Sequence, residues 1–166
     1  MIQLDAWALT DGTLDRIFWY DLMNDKKKLP GTTDYAWYDY AKECNWGLIH
    51  NFENTGDQPL AYSAKQSYVA MCAMSSMLTG ATNGADVSGL FGTGVQAYRF
   101  EKGNRLLVVA WTTDGTTKEF TAALNGQMVI TDMFGNATTY NGTTTLKLSE
   151  NPIYIECAKN DVPSIS

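Results

Sequence analysis

The chain has 166 residues, which is enough for one domain with a substantial core. Its residues are 45% hydrophobic, 18% charged and 12% aromatic, which excludes a disordered chain, a coiled coil and a collagen-like repeat. The formal net charge is −6 with only 12 Lys and Arg, and no run of 18 apolar residues occurs. We therefore expect neither nucleic acid nor a membrane among the partners of this protein.

The first half of the chain is rich in aromatic residues. Residues 1–11 are weakly helical, and their start lacks the basic and apolar stretches of a signal peptide, so the compartment stays open. The nearly continuous apolar run over residues 16–23 predicts a strand buried on both faces, as in a parallel sheet. Residues 24–58 then have the composition of a long irregular loop, which in a compact domain is usually functional or disordered.

One α-helix is predicted over residues 64–79. Ser63 followed by Gln66 fits a capping box, with Ser63 as the N-cap, and Gly80 fits a left-handed stop. The apolar positions that lie close to one face of this helix are Ala64, Tyr68, Met71, Cys72 and Leu78.

Residues 88–158 predict a β-sandwich domain. Short stretches with a period of two alternate with turns every 8–12 residues, and Lys102-Gly103-Asn104 is typical of a hairpin turn. We interpret the glycine-rich stretch over 89–94 as a linker. The predicted strands are Val95–Glu101, Arg105–Thr113, Lys118–Leu124, Gln127–Asp132, Thr143–Ser149 and Ile153–Cys157. The fold class is therefore mostly β, with a C-terminal antiparallel β-sandwich preceded by a strand, a long loop and one α-helix.

No metal or cofactor site is predicted. The cysteines Cys44, Cys72 and Cys157 form no CxxC pair and His50 is the one histidine, so we interpret all three thiols as buried or half-buried. A structural calcium ion would use Asp114 and Asp132 at strand ends, but no acidic loop accompanies them.

Several segments taken in order resemble a known family. The segments are IFWYDLMND at 17–25, NWGLI at 45–49, and Lys65 with Tyr68 at the start of a helix. Together they resemble the eighth strand, the following loop and the eighth helix of the (β/α)₈ barrel in clan A glycoside hydrolases, near families 5 and 39. The segments TDMFGN at 131–136, LKLS at 146–149 and PIYIE at 152–156 are similar to the closing strands of the β-sandwich that often follows that barrel.

The resemblance implies that residues 1–80 are the terminal elements of a glycosidase barrel. Such a barrel has eight strands and about 250 residues. In the family the acid/base ends the fourth strand and the nucleophile ends the seventh, and both positions would precede Met1. Retaining glycoside cleavage needs two carboxyl groups about 5–5.5 Å apart, and no pair among the acidic residues from Asp21 to Glu43 is singled out by its spacing. We therefore expect this chain to be catalytically silent on its own.

An oligo- or polysaccharide is the partner that the aromatic residues favour. Residues 18–46 hold eight of the chain's 20 aromatic residues, and flat rings stack on the apolar faces of sugars. The resemblance gives Trp19 the floor of the subsite for the scissile sugar, while Asp25 and Asn45 would bind hydroxyl groups. The candidate carbohydrate-binding residues are Trp19, Tyr20, Asp25, Trp37, Tyr38, Asn45 and Trp46.

Other interpretations of the same residues stay open. The rings in 18–46 could instead fill a core, and Trp111, in mid-strand, is predicted to lie in the core of the sandwich. The chain could be a stand-alone carbohydrate-binding module. It could also be a structural domain whose barrel-derived apolar surface is covered by a second copy, in which case Ile17–Met23 would join the sandwich sheet or pair across that interface.

Overall fold

A computed structural model of the chain describes residues 1–12, 17, 22, 47–49 and 63–166. Contacts between residues divide the chain into two compact units, one made of 1–15 with 70–166 and the other of 16–69. The boundary that the sequence indicated near residue 80 therefore differs from the division in the structure. The first unit is mostly β and contains two packed antiparallel sheets, which confirms the predicted fold class.

Two α-helices lie in the described residues. Helix α1 (Ile2–Asp11) forms where weak helicity was predicted, and it ends at Gly12, whose φ of 69° is left-handed. Helix α2 (Gln66–Leu78) begins two residues later than predicted because Ala64 is used in an antiparallel bridge to Ile49. The prediction of Ser63 as the N-cap is therefore wrong, whereas the stop at Gly80 is confirmed by a φ of 76°.

The buried face of α2 also differs from the predicted one. Ala70, Met74 and Leu78 are buried at a spacing of four residues, while Met71 is half-buried and Cys72 is exposed. Leu78 alone belongs to both sets, because so many residues of this helix are apolar that the sequence does not single out one face. The interpretation of Cys72 as at least half-buried is wrong, that of Cys157 is confirmed, and Cys44 lies outside the described residues.

All six predicted strands form, with ends within one residue of those predicted. Three further strands, at Thr82–Asp86, Ala137–Asn141 and Ser164–Ile165, were not predicted, because their Asn, Gly and Thr content or their shortness is typical of turns. In chain order the strands are β1 (Thr82–Asp86), β2 (Val95–Lys102), β3 (Arg105–Thr112), β4 (Lys118–Ala123), β5 (Gln127–Thr131), β6 (Ala137–Asn141), β7 (Thr144–Leu148), β8 (Ile153–Ala158) and β9 (Ser164–Ile165).

The strands form one large and one small sheet. The large sheet has the order β1-β2-β3-β8-β5-β6 and the small sheet the order β7-β4-β9, with every pair antiparallel. Strands β2 and β3 form the predicted hairpin, in which Lys102 pairs with Arg105 and Gly103 takes a φ of 59°.

The two faces of the large sheet bury different partners. On one face Leu106, Ala110 and Ile155 pack against Leu146 and Leu148 of the small sheet. On the other face Leu107, Val109 and Tyr154 pack against Ile2 and Ala6 of α1 and Ala70, Met74 and Leu78 of α2. Apolar residues of β3 therefore point to both faces of the sheet, as expected for a central strand covered on both sides.

Trp111 illustrates how register selects the face. Its predicted burial is confirmed, but it lies in the cluster formed with the helices and contacts the ring of Tyr98 at a centroid distance of 5.8 Å. The interior between the two sheets instead receives Ala110, one residue earlier. A shift of one residue along a strand exchanges the faces, so the core position of Trp111 depends on the register of the sheet.

Candidate functional site

The predicted carbohydrate-binding residues fall outside the described part of the chain. This holds for Trp19, Tyr20, Asp25, Trp37, Tyr38, Asn45 and Trp46. The predicted strand over 16–23 is described only at Ile17 and Leu22, so neither of the pairings expected for it is tested.

The motif segments on either side of those residues meet through backbone hydrogen bonds. The amides of Leu48 and Ile49 both donate to the carbonyl oxygen of Leu22, at 3.0 and 2.9 Å. The amide of Lys65 donates to the carbonyl oxygen of Leu48 at 2.9 Å, next to the bridge between Ile49 and Ala64. The three segments that carry the family resemblance are therefore adjacent at these points.

A second candidate site is an apolar pocket between the two sheets, which we call the end pocket. Its volume is about 70 Å³, and Arg99 is the one charged residue among the described residues that line it. Two side chains at its edge, Leu90 and Val162, are 60% and 55% exposed. The lining residues are Val87, Leu90, Phe91, Arg99, Leu106, Val108, Ile155, Cys157, Val162, Pro163 and Ile165.

Arg99 is a half-buried residue with one guanidinium nitrogen, Nε, that lacks a hydrogen-bond partner among the described residues. The Nε atom is buried and makes no hydrogen bond, and none of the ion pairs of the described residues includes Arg99. The position follows from strand alternation, because Val95, Ala97 and Arg99 share one face of β2 and the first two belong to the core between the sheets. That alternation is visible in the sequence, so the sequence could have indicated that this half-buried cation faces the small sheet.

One wall of the end pocket is fixed by a short polar network. Ser88 begins a 3₁₀ helix (Ser88–Leu90), and its hydroxyl donates to Asp86 Oδ1 at 2.6 Å and accepts from the amide of Ala97 at 3.0 Å. This anchors the turn that carries Leu90 and Phe91 to strand β2. The interpretation of residues 89–94 as a linker is therefore wrong, because the turn is hydrogen-bonded to the sheet and lines a pocket.

The opposite wall is held by Asp161. Its carboxylate accepts hydrogen bonds from the amides of Asn125, at 3.2 Å, and Gly126, and its own amide donates to Ala158. These bonds fix the chain just before Val162 and Pro163, which line the pocket. Deep in the pocket, burial raises the pKa of the Cys157 thiol, so Cys157 stays a neutral apolar lining group at neutral pH.

A different polar pair is enclosed between the helices and the large sheet. Asp5 Oδ2 of α1 and the hydroxyl of Tyr154 of β8 are both buried without hydrogen-bond partners. Burial raises the pKa of Asp5, while the positive charge of the amino terminus lowers it. Burial and then the charge of Asp5 raise the pKa of Tyr154. Tyr154 is 0% exposed, so this pair has no opening to solvent at the phenol.

The acidic residues proposed for calcium stabilise turns of their own. Asp114 accepts from Lys118, at 2.8 Å, and from Thr116, and these bonds lower its pKa. Burial acts to raise the pKa of Asp132, but hydrogen bonds from Asn136, Phe134 and Gly135 outweigh it and lower the pKa. Over the described ranges, no three His, Cys, Asp or Glu side chains come together as a metal site.

Comparisons with known proteins give no family. No protein-family model and no curated protein matches the chain. A crystal structure of a protein of unknown function from Vibrio parahaemolyticus is 16% identical, with a TM-score of 0.23, over 51% of this chain and 96% of that one. A crystal structure of Drosophila melanogaster CENP-C bound to CAL1 is 5% identical, with a TM-score of 0.21, over 60% of this chain and 94% of that one. Both similarities are too low to inform function.

No helix in the described residues is long and apolar enough to cross a membrane.

Proposed function

We propose that this chain is the C-terminal part of a glycoside hydrolase. In this proposal its sandwich supports a catalytic barrel, and its aromatic segment contributes contacts to an oligo- or polysaccharide. The chain does not cleave glycosides alone, because the carboxylate pair belongs to the part of the barrel that the family places upstream. Its role is to position aromatic groups against sugar rings.

The observation that carries this proposal is the meeting of the motif segments. Leu22 lies near the end of the predicted strand, Leu48 and Ile49 belong to NWGLI, and Lys65 precedes α2. These segments are joined by three backbone hydrogen bonds. In the resembled barrel the corresponding elements are consecutive, so their close approach is expected. The antiparallel sandwich that follows α2 is also the architecture that the resemblance implies.

Sugar binding is tested by tryptophan fluorescence. Titration with xylan, mannan and β-glucan oligosaccharides is expected to change the emission, and Trp19→Ala is expected to weaken binding at least about tenfold if its ring stacks on a sugar. Trp7→Ala is the matched control, since Trp7 lies in α1, outside the motif segments. Absence of a response to all three glycans, or an equal loss in both variants, would contradict the proposal.

Catalytic silence is tested with aryl glycosides. We expect no turnover by the chain alone. Turnover that is abolished by one carboxylate substitution in residues 21–57 would show that the catalytic pair is present in this chain after all.

Self-association is a second candidate function, favoured by exposed apolar residues on α1. Leu4 and Trp7, three residues apart on one face of the helix, are 42% and 40% exposed, and large apolar groups exposed together are typical of interfaces. A mass of two or more chains by light scattering, reduced to one chain by Leu4→Glu with Trp7→Glu, would support it. A mass of one chain for the unchanged protein would count against it.

A further inference from the structure

We propose that the end pocket binds a small aliphatic carboxylate, with the carboxylate group on the Arg99 guanidinium and the alkyl tail among the apolar lining residues. This site is separate from the aromatic segment proposed for sugars, and it does not depend on the glycosidase proposal.

Arg99 brings a positive charge to the lining of the end pocket. A guanidinium carries a positive charge, and a buried N–H donor without an acceptor, such as the Nε–H of Arg99, is costly. Glu101, whose pKa the Arg99 charge helps to lower, is already held by Lys159 at 2.6 Å and by Asn83 at 3.0 Å. Arg99 thus lacks a counter-ion of its own in the described residues, and an incoming anion would supply one.

The lining of the end pocket selects the kind of anion. The floor is formed by Leu106, Val108 and Ile155, and these side chains offer no hydrogen bonds. Phosphate and sulfate need several donors around them, whereas a carboxylate is satisfied by the two parallel N–H groups of one guanidinium. The remaining surface is apolar, so the rest of the ligand must be hydrocarbon.

The size of the end pocket limits the length of that hydrocarbon. A volume of about 70 Å³ holds roughly five water-sized groups, since one such group needs about 10–15 Å³. Butanoate, with six non-hydrogen atoms, fits if its tail end lies between Leu90 and Val162 at the exposed edge.

The end pocket is also formed in advance of binding. The turn that carries Leu90 is fixed by Ser88 and Asp86, and the segment that carries Val162 is fixed by Asp161. The ring of Phe91 is held edge-on against Phe120 at a centroid distance of 5.4 Å. Fixed walls reduce the ordering cost of binding, so even a small ligand gains affinity from them.

The test compares butanoate with its neutral isostere butanamide by methyl NMR of the full chain. Butanoate is expected to shift the methyl signals of Val108 and Ile155 in a saturable way, and butanamide is expected to bind at least about tenfold more weakly because it lacks the charge. Unmoved methyl signals, or equal affinity for the two compounds, would overturn the proposal. Inorganic phosphate that binds as tightly as butanoate at the same methyl groups would overturn the choice of ligand class.

Variants locate the charge. Arg99→Gln is expected to weaken butanoate binding at least about tenfold. The matched control is Arg105→Gln, because Arg105 lies on the neighbouring strand, exposed and paired with Glu156 at 3.5 Å, and should leave binding unchanged. Equal losses in the two variants would indicate general electrostatic attraction and overturn the assignment.

A third variant guards against a folding defect in Arg99→Gln. Leu90 is exposed, so Leu90→Glu should fold normally and place a carboxylate at the edge of the end pocket. This carboxylate is expected to repel butanoate and to abolish its effect on the methyl signals. Unchanged butanoate binding in Leu90→Glu would contradict the placement of the ligand. Sugar titrations of the same variants test the glycosidase proposal independently, so a failure of butanoate binding can be told apart from a failure of sugar binding.

Discussion

Both faces of the large sheet pack against other elements through similar apolar residues. The two faces differ in the surroundings of their buried polar groups. On the face toward the small sheet, Arg99 lines a pocket with exposed aliphatic side chains at its edge. On the face toward the helices, the Oδ2 atom of Asp5 and the hydroxyl of Tyr154 are buried without partners among the described residues, and Tyr154 is fully covered. An unpartnered group beside a pocket can be neutralised by a ligand, whereas an enclosed one reduces stability. The comparison therefore separates a candidate binding feature from a structural liability.

The largest expected effect is the loss of stability when a buried leucine on either face of the large sheet is truncated. It tests whether the packing on each face contributes to folding. Leu107→Ala on the helix face and Leu148→Ala on the small-sheet face should each lower the free energy of unfolding by about 2–5 kcal/mol, because both side chains are fully buried. Urea denaturation measures this, with the exposed Leu9→Ala as the control. A loss below about 1 kcal/mol on one face would show that its layer contributes little to folding.

The hydroxyl groups of two tyrosines on the helix face give a smaller effect of opposite sign. Tyr154→Phe should raise the free energy of unfolding by about 1 kcal/mol, because it removes a buried hydroxyl that has no partner. Tyr98→Phe should lower it by about 1 kcal/mol, because the Tyr98 hydroxyl accepts a hydrogen bond from Gln96 at 2.6 Å. If Tyr154→Phe is destabilising in urea denaturation, its hydroxyl has a partner and the enclosed pair is wrongly described.

The pH dependence of stability should follow the directions of two carboxyl pKa values. Burial raises the pKa of Asp5 in the folded state, so its contribution to stability falls as pH rises from the unfolded pKa through the folded one. Asp5→Asn should therefore gain stability relative to the unchanged protein as pH rises through this range, with no gain below it.

Asp86 supplies the opposite control for this pH series. Hydrogen bonds from the Ser88 side chain and amide lower the pKa of Asp86, so its contribution is present above the unfolded pKa and is lost as pH falls through the folded one. Asp86→Asn should lose stability relative to the unchanged protein at the higher pH values. Parallel pH profiles for the two variants would contradict the assigned environments.

The smallest expected effect concerns the paired surface cation. Arg105→Gln should change the free energy of unfolding by less than about 0.5 kcal/mol, because its bond to Glu156 is partly exposed and long. Chemical denaturation at low and high salt measures it. A larger loss, reduced by salt, would show that this pair stabilises the sheet more than surface pairs usually do.

Much of the fold could be predicted from local pattern. The six strands from Val95 to Cys157 and the hairpin at Gly103 follow from alternation and turn chemistry, which are local properties of the backbone. The N-cap at Ser63 was wrong because Ala64 pairs with Ile49, a contact between segments distant in sequence. The strand β1 was missed because Asn83, with a φ of 53°, and Gly84 are typical of a turn, whereas in the structure they interrupt the register between the paired residues Thr82 and Ala85.

Of the two candidate sites, one was predicted from the sequence and the other required the structure. The resemblance to glycosidase motifs and the choice of aromatic residues came from the sequence and remain a prediction, because those residues lie outside the described ranges. The end pocket required the structure, because it combines side chains from β2, β3, β8 and β9 with two connecting turns. The sequence contains one indication of it, because strand alternation places Arg99 on the same face of β2 as Val95 and Ala97.

By itself the sequence determined the class of fold and the positions of its central strands, since these follow from composition and short-range periodicity. The tertiary structure alone decided which face each strand residue occupies, which side of α2 is buried, and that the Nε atom of Arg99 has no partner among the described residues. Those properties depend on register and on contacts between distant segments, and a shift of one residue along a strand would have reversed them.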